Sequence, residues 1–223
     1  MPRLARVDVA DHAYHVINRA NGRTQIFDTP EDFALFEELL EKTKNEVGMR
    51  VLAYCIMPNH WHLVLYPRTD GDLGIFMHRL TNAHTRLVRT HTNTVGSGHL
   101  YQGCYKAFLI ENDTHLLTVI KYVERNAART RLAPDCESWR WGSACCRLEG
   151  SPELKKLLDE SPTPLPARYR AWINEPDKTE ELSSMRYSLN RGIPFGSAHW
   201  VDAMVDQHGL ESTRRAVGRP KKS

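Results

Sequence analysis

Nowhere in the 223 residues is there an apolar run of the roughly 20 residues that a bilayer crossing needs, so a helical membrane span is excluded. The opening Met1-Pro2-Arg3-Leu4-Ala5-Arg6 leads into polar residues with no apolar signal core behind it. An unexported, cytoplasmic chain is therefore expected. The five cysteines (Cys55, Cys104, Cys136, Cys145, Cys146) form no CxxC pair. An odd number in an unexported chain reads as reduced thiols, and structural zinc on thiolates is not expected. There is no internal repeat. Acid is missing too: between Leu73 and Ile110 there is not one Asp or Glu, while Arg79, Arg86, Arg89 and Lys106 and the histidines His78, His84, His91 and His99 all fall there.

The formal net charge is only +3, but it is segregated. Arg214, Arg215, Arg219, Lys221 and Lys222 close the chain, while acids crowd residues 31–46 and 149–160. Such a division suits one face turned toward a polyanion.

What the chain does hold is a pair of histidines two apart, in Met57-Pro58-Asn59-His60-Trp61-His62-Leu63-Val64-Leu65-Tyr66. If the apolar run is a strand, His60 and His62 share a face with Val64 and Tyr66. Trp61, Leu63 and Leu65 then point into a core. Two imidazoles side by side on a strand begin a metal site without completing it.

Around this stretch, residues 13–19 read as a first strand, ended by the turn signal Asn21-Gly22. Thr29-Pro30-Glu31-Asp32 starts a helix that buries Phe33, Phe36, Leu40 and Leu39, keeps its acids outside and stops near Gly48. Residues 50–57 form a second strand. Residues 73–90 have helical spacing, with Leu73, Phe76, Leu80 and Leu87 inside and the bases outside. After a loop over 92–98, residues 101–110 read as a fourth strand. Asn112 or Asp113 then caps a helix buried along Leu116, Leu117, Ile120 and Val123. The order β-α-β-β-α-β-α predicts an α+β, ferredoxin-like antiparallel sheet with packed helices.

Beyond Arg131 the pattern changes, which divides the chain into a core over 1–131 and a mainly helical extension over 132–223 that ends in a basic tail. Residues 161–166 are proline-rich connection, with Trp139 and Trp141 as packing anchors. Helices over 180–190 and 197–208, joined by Arg191-Gly192-Ile193-Pro194-Phe195-Gly196, are compatible with a DNA-binding helix-turn-helix or with a plain helical hairpin. Gly218-Arg219-Pro220-Lys221-Lys222 is like a minor-groove AT-hook arm.

A third ligand for His60 and His62 must come from elsewhere in the fold. The best candidate segment is Lys121-Tyr122-Val123-Glu124-Arg125-Asn126, where Tyr122 and Asn126 share a helical face that Arg129 extends. The residues alone leave open an amphipathic tyrosine covering a sheet edge. Together, however, the motifs carry a resemblance. Pro58-Asn59-His60-Trp61-His62-Leu63 resembles the HUH motif of the single-tyrosine transposases of bacterial insertion sequences. Gly98-His99-Leu100-Tyr101-Gln102-Gly103 and Lys106-Ala107-Phe108 resemble their following strand, and residues 113–126 the helix bearing their tyrosine. Residues 191–196 and Gly218-Arg219-Pro220 resemble, more narrowly, the REP-associated tyrosine transposases. One departure is Asn126-Ala127, where the family often has Asn-Pro; alanine prolongs a helix that proline would bend.

The resemblance implies an HUH endonuclease core in which Tyr122 is the nucleophile and His60, His62 and Asn126 hold a metal. Imidazoles by softness favour zinc and other transition ions, but the resemblance implies Mg²⁺ or Mn²⁺. It further implies nicking and rejoining of single-stranded DNA at REP hairpins through a 5′-phosphotyrosine intermediate, by a chain working as a monomer. Residues expected on the DNA are Arg19, Arg23, Arg79, Arg86, Arg89, Lys106 and Arg129, with Arg214, Arg215, Arg219 and Lys221 adding duplex affinity. Two rival readings are a catalytically idle hairpin-binding or regulatory protein, and a hydrolase in which water attacks.

Overall fold

The structure, a computed structural model, describes residues 7–96 and 98–215. Four strands, β1 (Ala13–Arg19), β2 (Arg50–Met57), β3 (His60–Tyr66) and β4 (Lys106–Ile110), make one antiparallel sheet in the order β2-β3-β1-β4. On one face lie α1 (Pro30–Val47) and α2 (Asp72–His91), on the other α3 (Thr114–Glu124). This is the predicted α+β ferredoxin-like arrangement.

Alternation along the strands builds two cores. Val16, Trp61, Leu63 and Leu65 pack against Phe33, Phe36 and Leu40 of α1 and Phe76 and Leu80 of α2. Val64, Tyr66 and Phe108 on the opposite face pack against Leu116, Val119, Ile120 and Val123 of α3. Each such large side chain contributes on the order of 1.5–3 kcal/mol by leaving water. Helix α1 starts with a capping box, Thr29 and Asp32 each holding the other's backbone N–H, and with Pro30 in its first turn.

Four local expectations are corrected. Glu37 of α1 is buried, not outside, because Tyr54 Oη donates to it at 2.7 Å and Arg140 pairs with it at 3.1 Å. On α2 the buried position after Leu80 is His84 rather than Leu87: its ring stacks on Phe27 and its Nδ1 meets Tyr101 Oη at 2.6 Å. The fourth strand spans only Lys106–Ile110, since Tyr101 makes a lone bridge to Ala20 before the chain swings out through Gly103, whose φ is +78°. The tyrosine helix stops at Glu124 and restarts as α4 (Asn126–Arg129), so alanine after Asn126 does not carry it straight through Arg125.

The remaining helices are short: α5 (Ser143–Glu149), α6 (Pro152–Lys155), α7 (Tyr169–Asn174), α8 (Thr179–Arg191), α9 (Ala198–His208) and α10 (Glu211–Arg214). They fold back on the sheet. At the β2 edge, Trp141 O accepts from Ile56 N at 2.9 Å, Ser143 Oγ from Tyr54 N at 3.0 Å and Asp159 Oδ2 from Val51 N at 2.9 Å. At the β4 edge, Phe195 N donates to Leu109 O at 2.8 Å and Glu111 N to Phe195 O at 3.0 Å. The link between α8 and α9 is thus a strand-like rung on the sheet, not the free turn of a helix-turn-helix. Its two glycines are required there. Gly192 ends α8 at φ +71°, and a Cβ on Gly196 would lie 2.6 Å from Trp200 and 2.7 Å from Glu111. Arg219, Lys221, Lys222 and the rest of the AT-hook-like tail lie outside the described residues.

Candidate active site

The register of β1 against β3 decides what stands beside the two histidines. Ile17 pairs with His62, Arg19 with His60 and His15 with Val64, so His15, Ile17 and Arg19 share the face of His60 and His62. His15 and His62 stack with ring centroids 5.1 Å apart, and His15 Nε2 lies 2.9 Å from His62 Nδ1. His60 and His62 sit edge to face at 5.1 Å. On the neighbouring strand Cys55 is opposite His62, and burial pushes its thiol up to about 12, which leaves it protonated in the free protein.

Helix α3 lays Tyr122 over this group. The tyrosine ring meets His62 edge-on at 6.0 Å and His15 edge-on at 5.9 Å. Arg129 covers its face, with Cζ 4.4 Å from the ring centroid, and donates to Tyr122 O at 2.9 Å. The tyrosine hydroxyl has no hydrogen-bond partner among the described residues. One chain therefore brings together the phenol and both imidazoles. Arg129 itself is held from the extension: its Nε donates to Asp177 at 3.2 Å, as does Arg125 Nε at 3.0 Å. Arg125 also donates to Ile173 O at 2.8 Å. One turn back, buried Glu124 accepts from Ser143 Oγ at 2.6 Å, Tyr169 Oη at 2.6 Å and Arg147 Nε at 3.1 Å. Ser143 and Arg147 also bond Tyr54 N and Leu52 O of β2, so the backbone that carries Tyr122 is clamped through the β2 edge of the sheet.

The imidazoles have the chemistry of cation ligands. Burial, reinforced by Arg19, lowers His60 to about 4, and burial next to His15 and His60 holds His62 well below the usual imidazole range. Both are neutral at physiological pH, the form that ligates. Asn59 Oδ1, 2.6 Å from His60 Nδ1, can only accept, so Nδ1 carries the proton and Nε2 keeps its lone pair. His15 can do the same for His62. These are the outer partners that fix a ligating histidine's tautomer. Asn126 is buried on the face of Tyr122, yet no contact ties it to either histidine. Its Oδ1 accepts from Arg129 at 3.0 Å, so an ion would share that oxygen with the guanidinium. The donor set of two neutral imidazoles and an amide oxygen fits a divalent cation.

A different trio, Glu111, Asp113 and His115, has its ligand atoms within 4.8 Å of one another. Its groups already have tasks: Asp113 caps α3 through His115 N at 2.7 Å, and Glu111 holds Ser197 N at 2.6 Å.

The expected DNA residues divide by their commitments. Arg79 pairs with Glu46 at 3.2 Å, Arg89 holds Thr94 and Gly98 O, Arg129 is bound to Asp177, and Arg214 pairs with Asp202. Arg23 and Arg86 are exposed, and Arg215 stands at the last described turn. Arg19 is the cross-strand partner of His60, while Lys106 of β4 faces Ile17, which separates it from His62; no hydrogen bond ties either side chain to another described residue. Sequence reasoning missed His15 and Asp177. The alternation of Tyr14-His15-Val16 placed His15 on one of two faces, and only the pairing with β3 says which; no local signal marks Asp177.

The sequence profile of the family "Transposase IS200 like" matches residues 8–126, more than half of the chain. A solved structure of a REP-associated tyrosine transposase bound to a REP hairpin has the same fold. It is 13% identical with a TM-score of 0.57, over 80% of this chain and 93% of that one. A crystal structure of a protein from Deinococcus radiodurans R1 assigned as a transposase is 19% identical over 56% of this chain and 95% of that one, with a TM-score of 0.39. Among curated proteins, none matches.

Proposed function

The chain belongs to the family of IS200-like transposases, and from that premise we propose that it nicks and rejoins single-stranded DNA at REP hairpins, with Tyr122 as nucleophile. The observation that carries the reading is the Tyr122 ring packed edge to face with His62, centroids 6.0 Å apart, on the face of the sheet that His60 shares. The proposed catalytic machinery is Tyr122 with His60, His62 and Asn126. The core over 1–131 provides all of it, and the extension over 132–223 serves hairpin binding and clamps α3.

Tyr122 Oη attacks the phosphorus of the bound strand. The Oη–P bond forms as the P–O3′ bond breaks; the phenol gives up its proton and the departing 3′-oxygen gains one. The products are a 5′-phosphotyrosine and a free 3′-hydroxyl, so a later 3′-hydroxyl reverses the step by exchanging one phosphodiester for another. A phenol is a weak nucleophile at neutral pH, and position and charge stabilisation matter more here than a strong base. Arg129 fixes the Tyr122 ring and backbone, His15 fixes His62, and Arg19 supplies positive charge beside His60. His60, His62 and Asn126 would hold Mg²⁺ or Mn²⁺, which when bound would supply Lewis-acid chemistry toward the phosphate oxygen.

The test incubates the full chain with a REP hairpin oligonucleotide that carries single-stranded flanks. A covalent protein–DNA adduct on denaturing gels is expected with Mg²⁺ or Mn²⁺, and none with EDTA or in Tyr122→Phe. Cleavage without an adduct makes water the nucleophile. Binding with neither cleavage nor adduct under either metal makes the chain a hairpin-binding protein only.

A further inference from the structure

Beside the histidines the sheet has a built gap. The pairing of β1 with β4 ends at Ile17 and Lys106, and the chain then swings away until Gln102 N returns to Arg19 O at 2.8 Å. The end of α8 closes the gap from outside with Leu189 and Asn190. What remains is a cavity of about 190 Å³ lined by Ile17, Arg19, Gln102, Lys106, Leu189 and Asn190 among others. Among the described residues no carboxylate faces it. Arg19 Nε is shut off from solvent with no hydrogen-bond partner among the described residues, and the exposed side chains of Gln102, Lys106 and Asn190 are hydrogen-bonded to no described residue.

The lining selects a ligand. Two cations alone would suit any anion, but of the three amides in the lining Asn18 already accepts from Arg19 N, while Gln102 and Asn190 each offer a donor beside an acceptor, the pattern that pairs with the edge of a nucleobase. Ile17 and Leu189 give apolar surface for its faces. The volume holds one base and not a base pair, so the base must be unpaired. Arg19 lines the cavity and is also the cross-strand partner of His60, so the cavity opens next to the phosphate position.

We propose that this cavity reads one unpaired nucleobase of the strand lying at His60 and His62, with Gln102 and Asn190 as the specificity-determining side chains. The inference rests on the reading that single-stranded DNA enters this site. It gives the extension a part in choosing the sequence, through Asn190 of α8.

The experiment selects binders from a library of hairpin oligonucleotides with randomised single-stranded flanks, in EDTA, using the full chain. Wild type should enrich one base at one flank position by at least about fivefold, the discrimination of one paired base edge. Gln102→Ala/Asn190→Ala should lose enrichment at that position and keep it elsewhere, and Glu38→Ala, an exposed position of α1, should keep all of it. No positional enrichment in wild type, or the same enrichment in the double variant, overturns the proposal. Because the readout is binding without metal, an absent adduct defeats the nicking reading and leaves this result standing; an unchanged double variant defeats the cavity alone.

Discussion

His15 is the residue whose neighbourhood says most about the site. Its ring stacks on His62 and its Nε2 reaches His62 Nδ1 at 2.9 Å, so it sets which nitrogen of His62 faces outward. Replacement of such outer partners costs about 10–100-fold in metal affinity. His15→Ala should weaken Mn²⁺ binding in a calorimetric titration by at least tenfold; unchanged affinity would make it a packing residue. His84 illustrates a different charge effect. Burial against Phe27 and Phe36 lowers it to about 3, so it is neutral when folded and takes up a proton on unfolding below the ordinary imidazole range. Its contribution is complete above pH 6.5 and is lost as pH falls from there toward 3. Thermal unfolding temperature should therefore drop between pH 7 and pH 5, and less so in His84→Gln. At this scale strand alternation put His60 and His62 on one face and helical spacing put Tyr122 with Asn126, but only the family resemblance joined the tyrosine to the histidines. His15 and His84 were not, since a histidine on an apolar strand or helix looks alike whether it is buried or exposed.

At the scale of elements, the helix carrying Tyr122 depends on a partner far along the chain. Asp177 pairs with both Arg125 and Arg129, all three side chains less than one-fifth exposed. Removing one member of such a group leaves charge buried and unpaired, at a cost of about 3–5 kcal/mol. Asp177→Ala should lower the unfolding temperature by several degrees and slow adduct formation, with Asp177→Glu recovering part of both. A variant as fast and as stable as wild type would remove the clamp from the account. The interleaving of long helices and strands was readable from periodicity. The helices α5, α6 and α7 were not, because segments of four to seven residues show no period and form only where tertiary contacts hold them, as Ser143 does through Tyr54 N and Glu124. The shortened β4 escaped notice for a related reason: Tyr101 to Tyr105 has strand-like composition, but the backbone at Gly103 leaves the sheet.

For the whole molecule, the extension's main visible work is on the sheet's two edges. Open edges invite pairing with another sheet. Here β2 is covered by Trp141, Ser143 and Asp159 and β4 by Phe195, while Lys44 ties α1 to the extension through Asp159 at 2.9 Å. With Tyr122 and the histidines met within one chain, nothing requires a second copy to complete the site. Light scattering should give a monomer mass with and without hairpin DNA; a dimer that scales with activity would contradict this. The distribution of charge pointed to a polyanion before any fold was known. What it could not reveal is that Arg79, Arg129 and Arg214 are tied to acids while Arg19 stands uncommitted beside His60 and Lys106 across Ile17 from His62.

The most direct measurement is the site of covalent attachment. After reaction with a REP hairpin and Mn²⁺, trypsin cutting at Lys121 and Arg125 isolates the peptide Tyr122-Val123-Glu124-Arg125. Its mass should carry the nucleotide fragment joined through a 5′-phosphate on Tyr122. A fragment found on any other residue, or cut DNA with this peptide unmodified, contradicts the account.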